Sequence, residues 1–163
     1  MDLIRVLREQ SGAGIMDCKR ALEASDGDLE RAHGILKEEG IARAGKKSQR
    51  DTHDGLVESY IHSGGKVGAL VEVNCETDFV ARTSDFKNVA HDIAMQVAAM
   101  APLYLDRDDV PDGQDLNPQE VCLLEQPFIR DPSKTIRDLV SEAIAVLGEN
   151  VRIRRFSRFS LGE

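Results

Sequence analysis

Two alternating runs face each other across Ser63-Gly64-Gly65: LVESYIH (56–62) and KVGALVEVNCE (66–76). A period of two around a Gly-Gly turn specifies a β-hairpin. It also specifies a buried face, because Val67, Ala69, Val71, Val73 and Cys75 fall on one side of the second strand. A hairpin with one apolar face needs helices to cover it, and the chain supplies them. Phe86, Val89, Ala90, Ile93, Ala94, Val97 and Ala98 repeat at helical spacing and stop before Pro102. Ile136, Leu139, Val140, Ala143, Ile144 and Leu147 do the same, with Ser133 as the expected cap and Gly148 as the stop. Between them Asn117-Pro118-Gln119-Glu120 starts a short helix through Gln126. The last run, VRIRRFSRFSL (151–161), is β-prone but slips out of alternation, which predicts a bulge near Arg154-Arg155. The helix before it returns the chain to the hairpin. The class is therefore α+β, a three-stranded antiparallel sheet packed with helices.

The first forty residues have a different texture. Leu3, Ile4, Val6 and Leu7 form the stripe of one helix, stopped by SGAG (11–14). Ile15, Cys18, Ala21 and Leu22 form the buried face of a second. Asp28 caps a third, whose inner face is Leu29, Ala32, Ile35 and Leu36 and whose end falls near Gly40. A polar, locally basic stretch follows. The expected organisation is a three-helix module at 1–41, a linker at 42–55 that is helical at most at its start, and an α+β core at 56–163.

Charge divides along the same line. Residues 1–50 carry ten basic and nine acidic side chains, a net of +1; residues 51–163 carry eleven and twenty, a net of −9. The total of −8 argues against non-specific nucleic-acid binding, which needs Lys and Arg to neutralise phosphates. Cys18, Cys75 and Cys122 are too few and too dispersed for a disulfide framework or a zinc site, and suit a reducing compartment. MDLIRVLREQ lacks the apolar segment of a secretory leader, and no apolar stretch nears the roughly 20 residues of a membrane helix. A cytoplasmic location is expected, with no cofactor and no metal.

The search for chemistry narrows quickly. His33, His53, His62 and His91 lie near no nucleophile in the sequence, and phosphate-binding glycine motifs are absent. Cys75 with a remote histidine would make a thiol enzyme; a buried strand cysteine is the plainer reading. Arg152, Arg154, Arg155 and Arg158 alternate with Phe156 and Phe159, a pattern that can bind single-stranded RNA. Pairing with neighbouring acids on a sheet is the competing account. That leaves Thr77-Asp78-Phe79-Val80, where a strand meets a helix. Phe79 either packs into the core behind a Thr77 or Asp78 cap, or stands out as a wedge for another protein. The residues alone leave both open.

Three long segments resolve more. LREQSGAGIMDCKRALEASDGDLERA, LVEVNCETDFVAR and VCLLEQPFIRDPSKTIRDLVSEAIAVLGENVRIRRFSRFSLGE together resemble the bacterial translation elongation factor Ts family. The resemblance implies a nucleotide exchange factor for elongation factor Tu rather than an enzyme. It implies that the N-terminal helices form a module like a ubiquitin-associated domain and dock on the partner's GTP-binding domain, with Arg8, Ile15 and Met16 at that contact. Thr77, Asp78, Phe79 and Val80 then enter the partner near its magnesium ion, helping to dislodge Mg²⁺ and loosen GDP.

The chain departs from the family pattern at Val110–Val121, where a long helical stretch shrinks to PDGQDLNPQE, and it lacks the repeated half of larger members. One sheet face is then left uncovered, and a homodimer paired through the sheet is expected. The competing functions are an RNA-binding module using the C-terminal arginines and an adaptor using residues 1–40 alone.

Overall fold

The computed structural model describes residues 2–162. Its elements run α1 (Leu3–Ser11), α2 (Ile15–Ala24), α3 (Leu29–Lys47), β1 (Asp54–Ile61), β2 (Val67–Cys75), α4 (Asp78–Ala81), α5 (Ser84–Met100), α6 (Pro118–Val121), β3 (Pro127–Phe128), β4 (Asp131–Thr135), α7 (Ile136–Leu147) and β5 (Arg152–Ser160). The fold is α+β: helices first, then a three-stranded antiparallel sheet of order β1-β2-β5 with helices packed on it.

The sheet follows the alternation closely. Val73 and Ala69 of β2 lie opposite Leu56 and Tyr60 of β1, and all four face the core. In the β2–β5 pairing Glu72 meets Arg155 while Val73 meets Ile153, so Arg154 is an extra residue and the expected bulge is present. The helix α5 lies under this face with Phe86, Ile93, Ala94 and Val97 buried. A main core results, in which Val71, Val73, Phe86, Ile93, Leu123, Ile136 and Val151 are enclosed. The opposite face is bare: Val57, Ile61 and Phe159 are about two-thirds exposed and Leu70 about half.

Four local details differ from the sequence reading. The third helix does not end at Gly40 but runs to Lys47, carrying residues 42–47 with it. Gly40 is there for space rather than as a stop, because a Cβ at that position would lie 3.2 Å from the Ala145 Cβ of α7. Ile15 is not on a buried face; it is 56 % exposed at the first turn of α2, which projects beyond the small cluster it starts from. Thr135, not Ser133, caps α7, and it shares a reciprocal capping box with Asp138. The helix expected from Pro118 to Gln126 breaks after Val121 into a 3₁₀ turn at Leu123–Glu125. Here the buried Gln126 amide donates to Glu120 O at 2.8 Å, and Gln96 donates to Gln126 and Pro127 O. The Gln126 amide thus satisfies the Glu120 carbonyl, which a longer helix would have paired internally, and Gln96 holds Gln126 and the Pro127 carbonyl beside it.

Among the described residues the buried apolar side chains fall into two clusters. Leu7, Cys18, Ala21, Leu22 and Ala32 make the smaller one, within α1–α3. The single helix α3 reaches both: Ala32 belongs to the smaller cluster and Ala44 to the main core. It is set against α7, where Lys47 Nζ donates to Gly148 O at 2.7 Å. That carbonyl belongs to the left-handed glycine (φ 77°) that ends α7.

Candidate functional site

β2 stops at Cys75, and three residues later the chain is already in α4, a single turn. Val80 packs against the main core and Ala81 is buried, which anchors the turn from beneath. Phe79 points the other way and is 79 % exposed. The ring is therefore not a core residue. Burying such a side chain is worth about 1.5–3 kcal/mol, and the structure leaves that gain unused. Asp78 is tied to Arg82 at 2.7 Å across one helical turn. Of the two caps that the sequence left open, Thr77 occupies the N-cap position, but its side chain bonds no helix amide. Its hydroxyl instead donates to Glu149 Oε1 at 2.6 Å. The four residues singled out in the sequence thus form one corner, with Thr77 and Phe79 exposed, Asp78 half-buried and Val80 turned onto the core.

Arg8, Ile15 and Met16 gather around the α1–α2 turn, all exposed, Met16 by 73 %. The turn is set by Gly12 at φ 66°, whose amide donates to Arg8 O at 2.9 Å. Asp17, the next residue, is held by Arg43 of α3 through two parallel bonds of 2.9 and 3.0 Å. Those bonds hold its carboxyl below the usual carboxylate range.

The other candidates come out differently. Cys75 is fully buried, and its thiol donates to Thr77 O at 3.2 Å. Burial first, then the nearby Glu149 carboxylate, push that thiol up to about 11, the reverse of an activated nucleophile. Arg155 and Arg154 turn toward Glu72, at 2.7 and 3.7 Å, and the Arg155 bond keeps the Glu72 carboxyl below its ordinary range. Arg158 donates to Ala98 O at 3.1 Å. Arg154, Arg155 and Arg158 thus each have a partner on their own sheet or helix, while Arg152, Arg154 and Arg155 stay exposed. A cleft of about 430 Å³ lies between the helical module and α7, lined by charges of both signs, away from Phe79. Among the described residues no group of His, Cys, Asp or Glu is placed to hold a metal ion, and no helix is long and apolar enough to cross a membrane.

Fold and site together define a class: an α+β protein that presents exposed apolar side chains at two turns. The comparisons narrow the class. The family model described as "Elongation factor TS" matches residues 31–114 and 115–163. The chain is 50% identical to an elongation factor Ts of Carboxydothermus hydrogenoformans, over 99% of this chain and 88% of that one. It is 50% identical to that of Thermoanaerobacter sp. strain X514, over 98% and 93%. It is 49% identical to that of Coprothermobacter proteolyticus, over 99% and 97%. The chain belongs to the elongation factor Ts family, a family of translation elongation factors. The alignment with the Carboxydothermus protein spans 191 positions against 163 residues here, so at least 28 positions face gaps in this chain. The family model breaks at 114/115, inside the segment that reads as shortened.

Sequence reasoning missed Glu149. It stands 72 residues beyond Thr77, and no periodicity links the two. The only signal is the Gly148-Glu149-Asn150 triplet at a helix stop, which by itself reads as a turn.

Proposed function

We propose that this protein is a guanine nucleotide exchange factor for elongation factor Tu, acting in the cytoplasm and without covalent chemistry of its own. The observation that carries the reading is Phe79, fully displayed on a short corner whose neighbours are anchored in the core. A ring held this way loses little freedom on docking. In the complex, Thr77, Asp78, Phe79 and Val80 enter near the partner's magnesium site, displace Mg²⁺ and loosen GDP, while Arg8, Ile15 and Met16 dock the three-helix module, α1–α3, on the GTP-binding domain. By linkage, whatever binds the nucleotide-free state more tightly weakens GDP by the same factor. Loosening GDP ten-thousandfold requires about 5.5 kcal/mol of differential binding, more than one Phe supplies, so both surfaces contribute.

The test is release of labelled GDP from purified elongation factor Tu. Wild-type protein accelerates it. Phe79→Ala, which removes an exposed ring, leaves the melting temperature in place and slows exchange roughly 30- to 150-fold, equivalent to about 2–3 kcal/mol. An unchanged exchange rate in this variant would remove Phe79 from the mechanism.

The same reading includes a homodimer. The outer sheet face presents Val57, Ile61, Leu70 and Phe159 together, an apolar surface that a second copy covers by two-fold pairing. Light scattering coupled to gel filtration then gives about twice the 18.0 kDa chain mass, and Leu70→Asp returns it to the monomer value. A monomer mass for the wild type across micromolar concentrations rules the pairing out.

A further inference from the structure

A corner that carries a docking ring has to be held still, and α4 cannot hold itself. It has four residues, one helical turn, well short of the length at which a helix becomes self-supporting. The side chain at its N-cap position does not stabilise it either, because Thr77 turns its hydroxyl away. What the corner has instead is Glu149. One carboxylate accepts three bonds from two consecutive residues: Oε2 from Glu76 N at 3.1 Å and Thr77 N at 3.0 Å, and Oε1 from Thr77 Oγ1 at 2.6 Å. These are the amides just ahead of the turn, where a free strand end would otherwise fray. Hydrogen bonds to an ionised acceptor are about twice as strong as neutral ones.

The residues on either side of Glu149 are also engaged. Gly148 O accepts from Lys47 Nζ at the end of α3. Asn150 N donates to Glu76 Oε1 at 2.7 Å, and the Asn150 amide donates to Arg50 O at 2.7 Å and Ser48 O at 3.3 Å. Arg50 in turn lies 3.4 Å from Glu76. Asn150 and Arg50 therefore occupy the Glu76 side chain, which leaves the Glu149 carboxylate to the backbone of the corner. Three consecutive residues after α7 tie together the exit of α3 and the base of the Phe79 corner.

We propose that Glu149 is a positioning residue for exchange: it fixes the Thr77–Val80 corner so that Phe79 meets the partner already in its docking pose. The inference rests on the reading of Phe79 given above. Its readout is separable from that reading. In Glu149→Ala, backbone order parameters from ¹⁵N relaxation fall at residues 76–79 while those of β2 and α5 stay put, and the protected amides of Glu76 and Thr77 exchange with solvent. Catalysed GDP release slows about ten- to a hundredfold, the cost of a misplaced group. The same substitution added to Phe79→Ala changes the rate by less than about twofold, because the ring it positions is gone. Glu149→Gln keeps an acceptor for the two amides and recovers most of the rate. If Glu149→Ala fails to fold, Thr77→Val, which deletes only the hydroxyl bond, carries the same measurements with a smaller effect.

A corner as ordered in Glu149→Ala as in the wild type overturns the proposal, whatever the exchange rate. Equal slowing in the presence and absence of Phe79 also overturns it, since Glu149 then acts elsewhere. A loosened corner with full exchange in both Phe79→Ala and Glu149→Ala leaves the bracing in place and defeats the exchange role of Phe79 instead.

Discussion

The two hydrophobic clusters of this protein are built on different terms. The main core stacks a sheet face on two long helices, and large side chains such as Phe86, Ile93, Leu123 and Ile136 are wholly enclosed. The smaller cluster has one fully buried large aliphatic, Leu7, among alanines, a cysteine and Leu22. Three helices with a core of that composition bury too little apolar area to be secure alone. What they add is polar: Arg43 grips Asp17 through two bonds, and Arg20 reaches both Asp17 and Glu39. One region depends mainly on volume filled, the other on a thin core reinforced by ion pairs. The two proposed docking surfaces inherit the difference, the Phe79 corner sitting on the first and the Ile15–Met16 turn on the second.

The contrast is sharpest for the deepest side chain. Phe86→Ala empties the centre of the main core and costs about 3–5 kcal/mol, read as a loss of denaturation midpoint by every probe at once. Leu7→Ala is the matching cut in the smaller cluster. Thin surroundings collapse more readily onto a void, so its cost falls at the lower end for such substitutions, about 2–3 kcal/mol. Amide exchange then rises in α1 and α2 while the sheet stays protected. Equal loss of protection in the sheet would show that the two clusters melt as one, and the contrast would fail.

Much of this architecture could be read in advance, and the reason is periodicity. Alternation in Val67–Cys75 and helical spacing in Phe86–Ala98 record a single large burial surface that every second or every third-to-fourth residue must meet. The bulge at Arg154 was legible as a slip in that record. What escaped depends on partners distant in sequence. Cross-strand register decides that Leu56 and Tyr60 face inward and Leu70 outward, and no single strand encodes it. Ile15 carries the spacing of a buried residue, but the small cluster ends before reaching it. Thr77-Asp78-Phe79-Val80 stood out as a corner, whereas its brace at Glu149 lies across the molecule and obeys no local rule.

The smallest expected effect tests the polar half of the comparison. Asp17→Asn removes the charge that pairs with Arg43 and costs about 0.5–1 kcal/mol at neutral pH. The sign with acid is fixed. The Asp17 carboxyl is held below its ordinary value in the folded state, so its contribution is complete above the unfolded value near 4 and fades as pH falls through the depressed one. Wild type and Asp17→Asn therefore converge in urea titrations at low pH. A gap that persists in acid would mean that packing, not the ion pair, holds α2 to α3.

The long helix α3 has a further meaning if both turns engage one partner. It is about 28 Å from end to end, and its two inward-facing alanines, Ala32 and Ala44, sit about 18 Å apart along it. A helix is a ruler graduated in steps of 1.5 Å and 100°. One residue more between those alanines would lengthen the span only slightly, yet swing Ile15 and Met16 more than a quarter turn away from their bearing on Phe79. The protein is in this sense a pair of calipers, with its jaws at Met16 and Phe79 and its setting counted out in the residues of α3.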